Sequence, residues 1–152
     1  MTAGAFCVLA VLVVVLHSFF GKHGFSGLAI ANRHCPAAAL EQLSGSPDTD
    51  KRYDVARNRA CPPRVLRKLS QDEYWYVRYG VASNPMCHPA VLAQLSDDSH
   101  PQIRQQVANN PACPVNTLID LLKDPVAAYL AAANPHLPRS ALAMWQLAHD
   151  QA

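Results

Sequence analysis

One interval governs this chain. Cysteines stand at Cys35, Cys61, Cys87 and Cys113, 26 residues apart, and Asn32, Asn58, Asn84 and Asn110 keep the same step three residues earlier. Leu40, Leu66, Leu92 and Leu118 follow it, as do Leu43, Leu69, Leu95 and Leu121. A fifth copy arrives after a shortened interval of 24, with Asn134, Pro138 and Leu142 in register and Leu137 in the cysteine place. A unit this short cannot enclose a core of its own. It must bury its apolar face on copies of itself, and a period between about 20 and 50 residues is the mark of a solenoid.

Each unit reads as two short helices. The first is clearest in Tyr74 to Ser83, where Val77 and Val81 lie one turn apart and Ala82 permits close approach of a neighbour. Asn84-Pro85 is expected to stop it, because asparagine tolerates the left-handed conformation of a helix end and proline cannot continue a helix. Asn110-Pro111 and Asn134-Pro135 repeat that stop. The second helix is expected to open at the cysteine, with Pro36, Pro62, Pro89, Pro114 or Pro138 near its first turn, where a missing amide hydrogen does no harm. Leu66 and Leu69, like Leu92 and Leu95, then share one face. Helices of two to three turns are unstable alone, so stacking must order them. The expected fold is all-α: an α-solenoid of about five two-helix repeats, at about 27–52, 53–78, 79–104, 105–126 and 127–150 of a repeat domain over 27–152.

The polar columns are read first as structure. Stacked helices lie about 8–10 Å apart, too far for a disulfide between equivalent positions, which needs Cα atoms within roughly 7 Å. Cys61, Cys87 and Cys113 are therefore expected to be small buried hydrophobes with free thiols. Asn58, Asn84 and Asn110 form a second ladder. Arg52, Arg78 and Arg104 form a third beside Asp72, Asp98 and Asp124, with six residues from Asp72 to Arg78 and from Asp98 to Arg104. The aspartates fit N-caps of the first helix, and the pairing suggests an ion-pair ladder between repeats.

The run from Val77 to Asp98, VRxxVAxNPxCPxxxLxxLxxD with His88 inserted at the proline step, resembles the leucine-rich repeat variant family. Its Asp-to-Arg spacing is similar to that of HEAT repeats. The resemblance covers about residues 26 to 150 and implies paired helices, one of them often 3₁₀, stacked into a right-handed superhelix. The family is also associated with an iron–sulfur centre on a compact cysteine cluster ahead of the repeats. Only Cys7 precedes the first repeat here, so no cofactor is expected. His34-Cys35 and Cys87-His88 are single pairs and not a zinc set, and no metal site is expected. No nucleophile elbow or phosphate-cradling glycine loop occurs, so no enzyme, no catalytic residue and no small-molecule substrate are expected.

Residues 3 to 20 carry no charge and are apolar but for His17 and Ser18. As a helix they would span about 27 Å, enough for a bilayer core. This favours a single-pass membrane anchor at 1–20 over a signal peptide, a packed N-terminal helix or a start-site artefact, with a linker at 21–26. Lys22 and Arg33 follow the span and no basic side chain precedes it, which places the repeats in the cytoplasm.

Seven of the thirteen lysines and arginines fall between Lys51 and Lys68. Two uses follow for this charge. The favoured reading is a membrane-tethered scaffold that binds a protein partner over an extended face. The alternative is contact with nucleic acid or anionic lipid through Arg57, Arg64, Arg67 and Lys68, with Tyr53, Trp75 and Tyr79 able to stack on bases. Nucleic acid ranks lower because the other repeats do not extend the basic track.

Overall fold

The computed structural model describes Ile30 and residues 32–149. The anchor at 1–20, the linker at 21–26 and Cys7 lie outside the described residues. Within them the chain is all-α. The helices are α1 (Ala37–Leu43), α2 (Thr49–Arg57), α3 (Pro63–Leu69), α4 (Trp75–Ala82), α5 (Pro89–Leu95), α6 (Pro101–Asn109), α7 (Val115–Leu121), α8 (Ala128–Ala133) and α9 (Arg139–His149). Neither a strand nor a 3₁₀ helix occurs among the described residues. The 3₁₀ geometry implied by the resemblance is replaced by α-type closure even in the seven-residue second helices: the Leu40 and Leu66 amides donate to the carbonyls of Pro36 and Pro62, four residues back, both at 3.1 Å.

The second helix of each unit starts two residues after the cysteine. The residue between them is the N-cap, Pro36, Pro62, His88 or Pro114, in extended conformation. His88 supplies a side-chain cap, its Nδ1 accepting from the Ala90 amide at 3.2 Å. At the other end Ser44, Ser70 and Ser96 turn their hydroxyls back onto the carbonyls of Glu41, Arg67 and Ala93 at 2.7–2.8 Å, which satisfies acceptors the helix end leaves open.

First helices pack on first helices, α2 on α4, α4 on α6 and α6 on α8, while α3, α5 and α7 each wedge between two of them. Val55, Val77, Val81, Ile103, Val107, Ala127 and Ala131 from the first set meet Leu40, Leu66, Leu69, Leu92, Leu95, Leu118 and Leu121 from the second in one continuous core. Each valine, isoleucine or leucine among them contributes about 1.5–3 kcal/mol by burial, which offsets the poor intrinsic stability of helices this short. The closest approach is at Gly80. A Cβ there would lie 2.9 Å from Cδ2 of Tyr53 and 3.1 Å from Cβ of Ala56, so the bare backbone is what lets α4 seat on α2.

Three sequence expectations change. Repeat boundaries at 52/53, 78/79 and 104/105 fall inside α2, α4 and α6, because a period fixes the step of a repeat and not its phase. The aspartates are not helix N-caps: Tyr74 and His100 hold that position in α4 and α6. Asp72 and Asp98 sit two residues earlier and accept from the Tyr74 and His100 amides at 3.0 and 2.9 Å, closing a turn ahead of the helix. Nor do the asparagines end helices in left-handed conformation. No described non-glycine residue has positive φ, and Asn58, Asn110 and Asn134 are extended, with ψ of 125–128°. At Asn110 and Asn134 the following proline drives its predecessor toward extended backbone; Asn58 is extended without one, its side chain spanning back to the carbonyls of Ile30 and Asn32.

Candidate functional site

Two polar straps tie successive units together. Asn84 is fully buried. Its Nδ2 donates to the carbonyls of Ala56 at 2.7 Å and Asn58 at 2.9 Å, and its Oδ1 accepts from the Met86 amide at 2.9 Å. Asn110 does the same to Ala82 and Asn84, and Asn134 to Ala108 and Asn110. Asn58 reaches Ile30 and Asn32. The asparagine of one unit thus satisfies the open carbonyls at the C-terminus of the preceding first helix.

The second strap is ionic. Arg52 binds Asp72 through Nε at 2.7 Å and Nη2 at 3.1 Å, and Arg78 binds Asp98 with the same two distances. Arg104 meets Asp124 at 2.6 Å. The partner is the aspartate of the following unit, 20 residues on. Meanwhile Nη1 of Arg78 donates to the carbonyl of Asp72 at 2.7 Å. Burial alone would push the Asp72, Asp98 and Asp124 carboxyls up. Hydrogen bonds from the paired arginine and from backbone amides, together with the arginine charges, overcome it and hold all three below the usual carboxylate range.

The cysteine column is buried and its thiols are free. Burial pushes Cys61 to about 12, Cys87 to about 11 and Cys113 to about 12, and raises Cys35 as well. These are neutral packing groups without nucleophilic character. Among the described residues no group of three or more His, Cys, Asp or Glu side chains is placed to hold a metal ion.

The candidate binding residues from the sequence do not converge. Arg64 and Lys68, on α3, are turned toward the preceding unit, Arg64 pairing with Glu41 and Lys68 donating to the Ser44 hydroxyl at 3.3 Å. Arg67 on α3 is exposed. Arg57, on α2, lies over the Tyr53 ring at 5.5 Å. Only Trp75 and Tyr79 come together, on α4, with ring centroids 6.4 Å apart.

They form one wall of a groove of about 300 Å³ between α4 and α6. Trp75, Tyr76 and Tyr79 line that wall, and Gln102, Gln105, Gln106 and Asn109 line the other, with Leu130 of α8 closing one side. None of these side chains is charged. The aromatic wall is braced from behind. Tyr76 stacks on Tyr53 with centroids 3.9 Å apart and planes at 17°, and Trp75 stacks on His100 at 4.1 Å and 1°. The buried Nδ1 of His100 has no hydrogen-bond partner among the described residues, so ring stacking is what holds that imidazole. Partial burial, Tyr53 and the carboxylates of Asp50 and Asp54 push the Tyr76 phenol up. On α6, Gln105 donates to the Val126 carbonyl at 3.0 Å, while Gln102 and Asn109 are exposed and Gln106 is half-buried.

Sequence reasoning missed the amide wall. Its signal was present in PQIRQQVAN: with Ile103 and Val107 turned to the core, the three glutamines must share the outer side of α6. A second hollow, of about 670 Å³, lies between α7 and α9 and is walled by Ile119, Leu122, Met144 and Trp145. Its outer wall is weakly held, since α9 has no buried residue.

No family model, curated protein or solved structure matches the chain. Among the described residues no helix is long and apolar enough to cross a membrane.

Proposed function

We propose that the chain is a non-enzymatic interaction scaffold: a right-handed α-solenoid of the leucine-rich repeat variant type, HEAT-like in its Asp-to-Arg spacing, that binds a protein partner. The observation that carries this reading is the division of labour within a unit. Polar side chains at Asn, Arg and Asp positions are used up in tying neighbours together, while α4 leaves Trp75 and Tyr76 exposed at 39% and 36% beside a row of amides. Large aromatic side chains kept partly in water are costly unless a partner covers them, and aromatics are the commonest anchors of protein interfaces. The unsuited candidates are nucleic acid and anionic lipid. Arg57, Arg64, Arg67 and Lys68 lie on two different helices, and three of them are engaged within the chain, so no continuous track offers the several coordinated phosphate contacts that such binding needs. Residues 1–20 serve in this reading as a single-pass tether that leaves the repeats on the cytoplasmic side.

The test is a crosslinking pull-down of the full chain from native membranes, with and without nuclease. Capture of a protein whose yield is indifferent to nuclease and falls for Trp75→Ala is expected. Submicromolar oligonucleotide binding at physiological salt, lost when Arg57, Arg64 and Arg67 become glutamine, would overturn the reading.

A further inference from the structure

We propose that Arg33 and Arg59 form a two-armed clamp for an acidic segment of the protein partner, an inference that rests on the scaffold reading above. Both directly follow the strap asparagine of their unit, in the loop that leads into the second helix. The hydrogen bonds of that loop are the same in every unit. Asn58 Oδ1 accepts from the Ala60 amide at 2.7 Å and the Asn58 carbonyl from the Cys61 amide at 3.0 Å. Asn32 holds His34 and Cys35 in the same way, both at 2.9 Å, and Asn84 holds Met86 and Cys87 at 2.9 and 3.1 Å. One amide position is left over, that of the residue right after the asparagine. Later units fill it with Pro85, Pro111 and Pro135, which have no N–H to leave open. The first two fill it with arginine, and among the described residues neither the Arg33 nor the Arg59 amide has an acceptor.

The two arginines are neighbours in space. Asn58 Nδ2 donates to the Asn32 carbonyl at 3.0 Å, so the two loops lie side by side and both side chains leave from adjoining points. Both are exposed, and among the described residues neither makes an ion pair. Arg33 Nε reaches only His34 Nε2, at 3.4 Å. Other arginines of these units are spoken for: Arg52 holds Asp72, Arg64 holds Glu41, and Arg57 lies over the Tyr53 ring. A guanidinium takes both oxygens of a carboxylate in its planar fork, and charge-assisted bonds of this kind are the strong ones. Each arm adds an open backbone N–H beside that fork. The clamp is two arms wide, since proline takes over at Pro85. It therefore suits a pair of carboxylates within a protein contact and falls short of the longer run of cations that phosphate-dominated binding needs.

The experiment pans the full chain against biotinylated peptides that carry two aspartates or glutamates, from adjacent to four residues apart, in a Gly-Ser background. The same peptides with Asn and Gln for the acids, a single-stranded oligonucleotide, and phosphatidylcholine vesicles with and without phosphatidylserine run in parallel. Acidic peptides should be selected, with an affinity that falls as salt rises and drops at least about tenfold for Arg59→Gln and for Arg33→Gln. Arg59→Pro should drop it at least as far, with the unfolding midpoint unchanged, because the loop already accepts proline in three units. Lys123→Gln, an exposed cation on another unit, should change nothing. Equal capture of the amide peptides, tighter binding of the oligonucleotide, or acidic binding that survives Arg59→Pro would overturn the proposal. So would retention that depends on phosphatidylserine and Arg59 without selection of acidic peptides. Should Arg59→Pro lose helical signal, the two glutamine variants decide the matter. A protein captured from native membranes through Trp75 but indifferent to both glutamine variants would overturn the clamp and leave the scaffold standing. Acidic peptides bound through the clamp with no membrane partner would do the reverse.

Discussion

Replacing Asn84 with alanine removes three hydrogen bonds, and the groups left behind do not suffer equally. The Met86 amide belongs to an exposed residue and can turn to water. The Asn58 carbonyl keeps the Cys61 amide as a second donor at 3.0 Å. The Ala56 carbonyl, by contrast, belongs to a residue with no exposed surface, and the Ala60 amide that a longer helix would have sent to it is bonded to Asn58 Oδ1 instead. That acceptor is orphaned, at about 1–3 kcal/mol, and the two lost but replaceable bonds add about 0.5–1.5 kcal/mol each. A total near 3–4 kcal/mol is expected, a large fraction of the stability of a small domain. Urea unfolding followed by far-ultraviolet circular dichroism measures it. Asn84→Asp sharpens the test. It keeps the acceptor for Met86 but faces two carbonyls with a carboxyl, whose folded pKa must rise. The variant should therefore be least destabilised below about pH 4, where the carboxyl is protonated in both states, and should lose stability as pH rises. An Asn84→Ala variant within about 0.5 kcal/mol of wild type, the range of an ordinary surface change, would refute the reasoning.

The ionic strap should make the fold acid-sensitive. Asp72, Asp98 and Asp124 are held low in the folded chain, so their contribution is complete above the unfolded carboxyl value near 3.9 and disappears as pH falls through the lower folded values. Asp98→Asn, which strands the largely buried Arg78, should cost about 3–5 kcal/mol at neutral pH and blunt the acid transition; an unfolding midpoint that follows wild type from neutral to acid pH would contradict this. In the native protein Cys61, Cys87 and Cys113 should react slowly with a thiol reagent and rapidly once unfolded, with Cys87→Ala mild and Cys87→Asp disruptive. Fast labelling without denaturant would show the column to be open.

How far the sequence could be read depended on whether a position repeats. Leucine and cysteine columns expose themselves by period, and so the all-helical class, the burial of Cys87 and the pairing of arginine with aspartate columns were accessible from spacing. Asn84 was visible as a column but misread in role, because a helix stop explains Asn-Pro without reference to any other unit. Asn58 held the missing clue: it keeps the column although Arg59 follows it, so proline cannot be the reason for the asparagine. The groove was less accessible for a physical reason. Its walls are built from Tyr76 against Gln102 and from Gln106 against Leu130, positions that differ from unit to unit, and period-hunting discards what does not recur.

The shortened interval before Asn134 has a mechanical consequence. Two residues are lost between Asp124 and Ala127, which sits where Ile103 sits one unit earlier, and the position after it, filled by Arg104 in α6, is Ala128 in α8. The joint between α6 and α8 still carries both straps, Arg104 to Asp124 and Asn134 to Ala108 and Asn110. With Ala128 in the arginine place, however, α8 has no guanidinium with which to pass the ionic strap onward. Whatever packs on the far side of α8 is held there by apolar contact alone, so the last joint that acid can loosen is the one between α6 and α8.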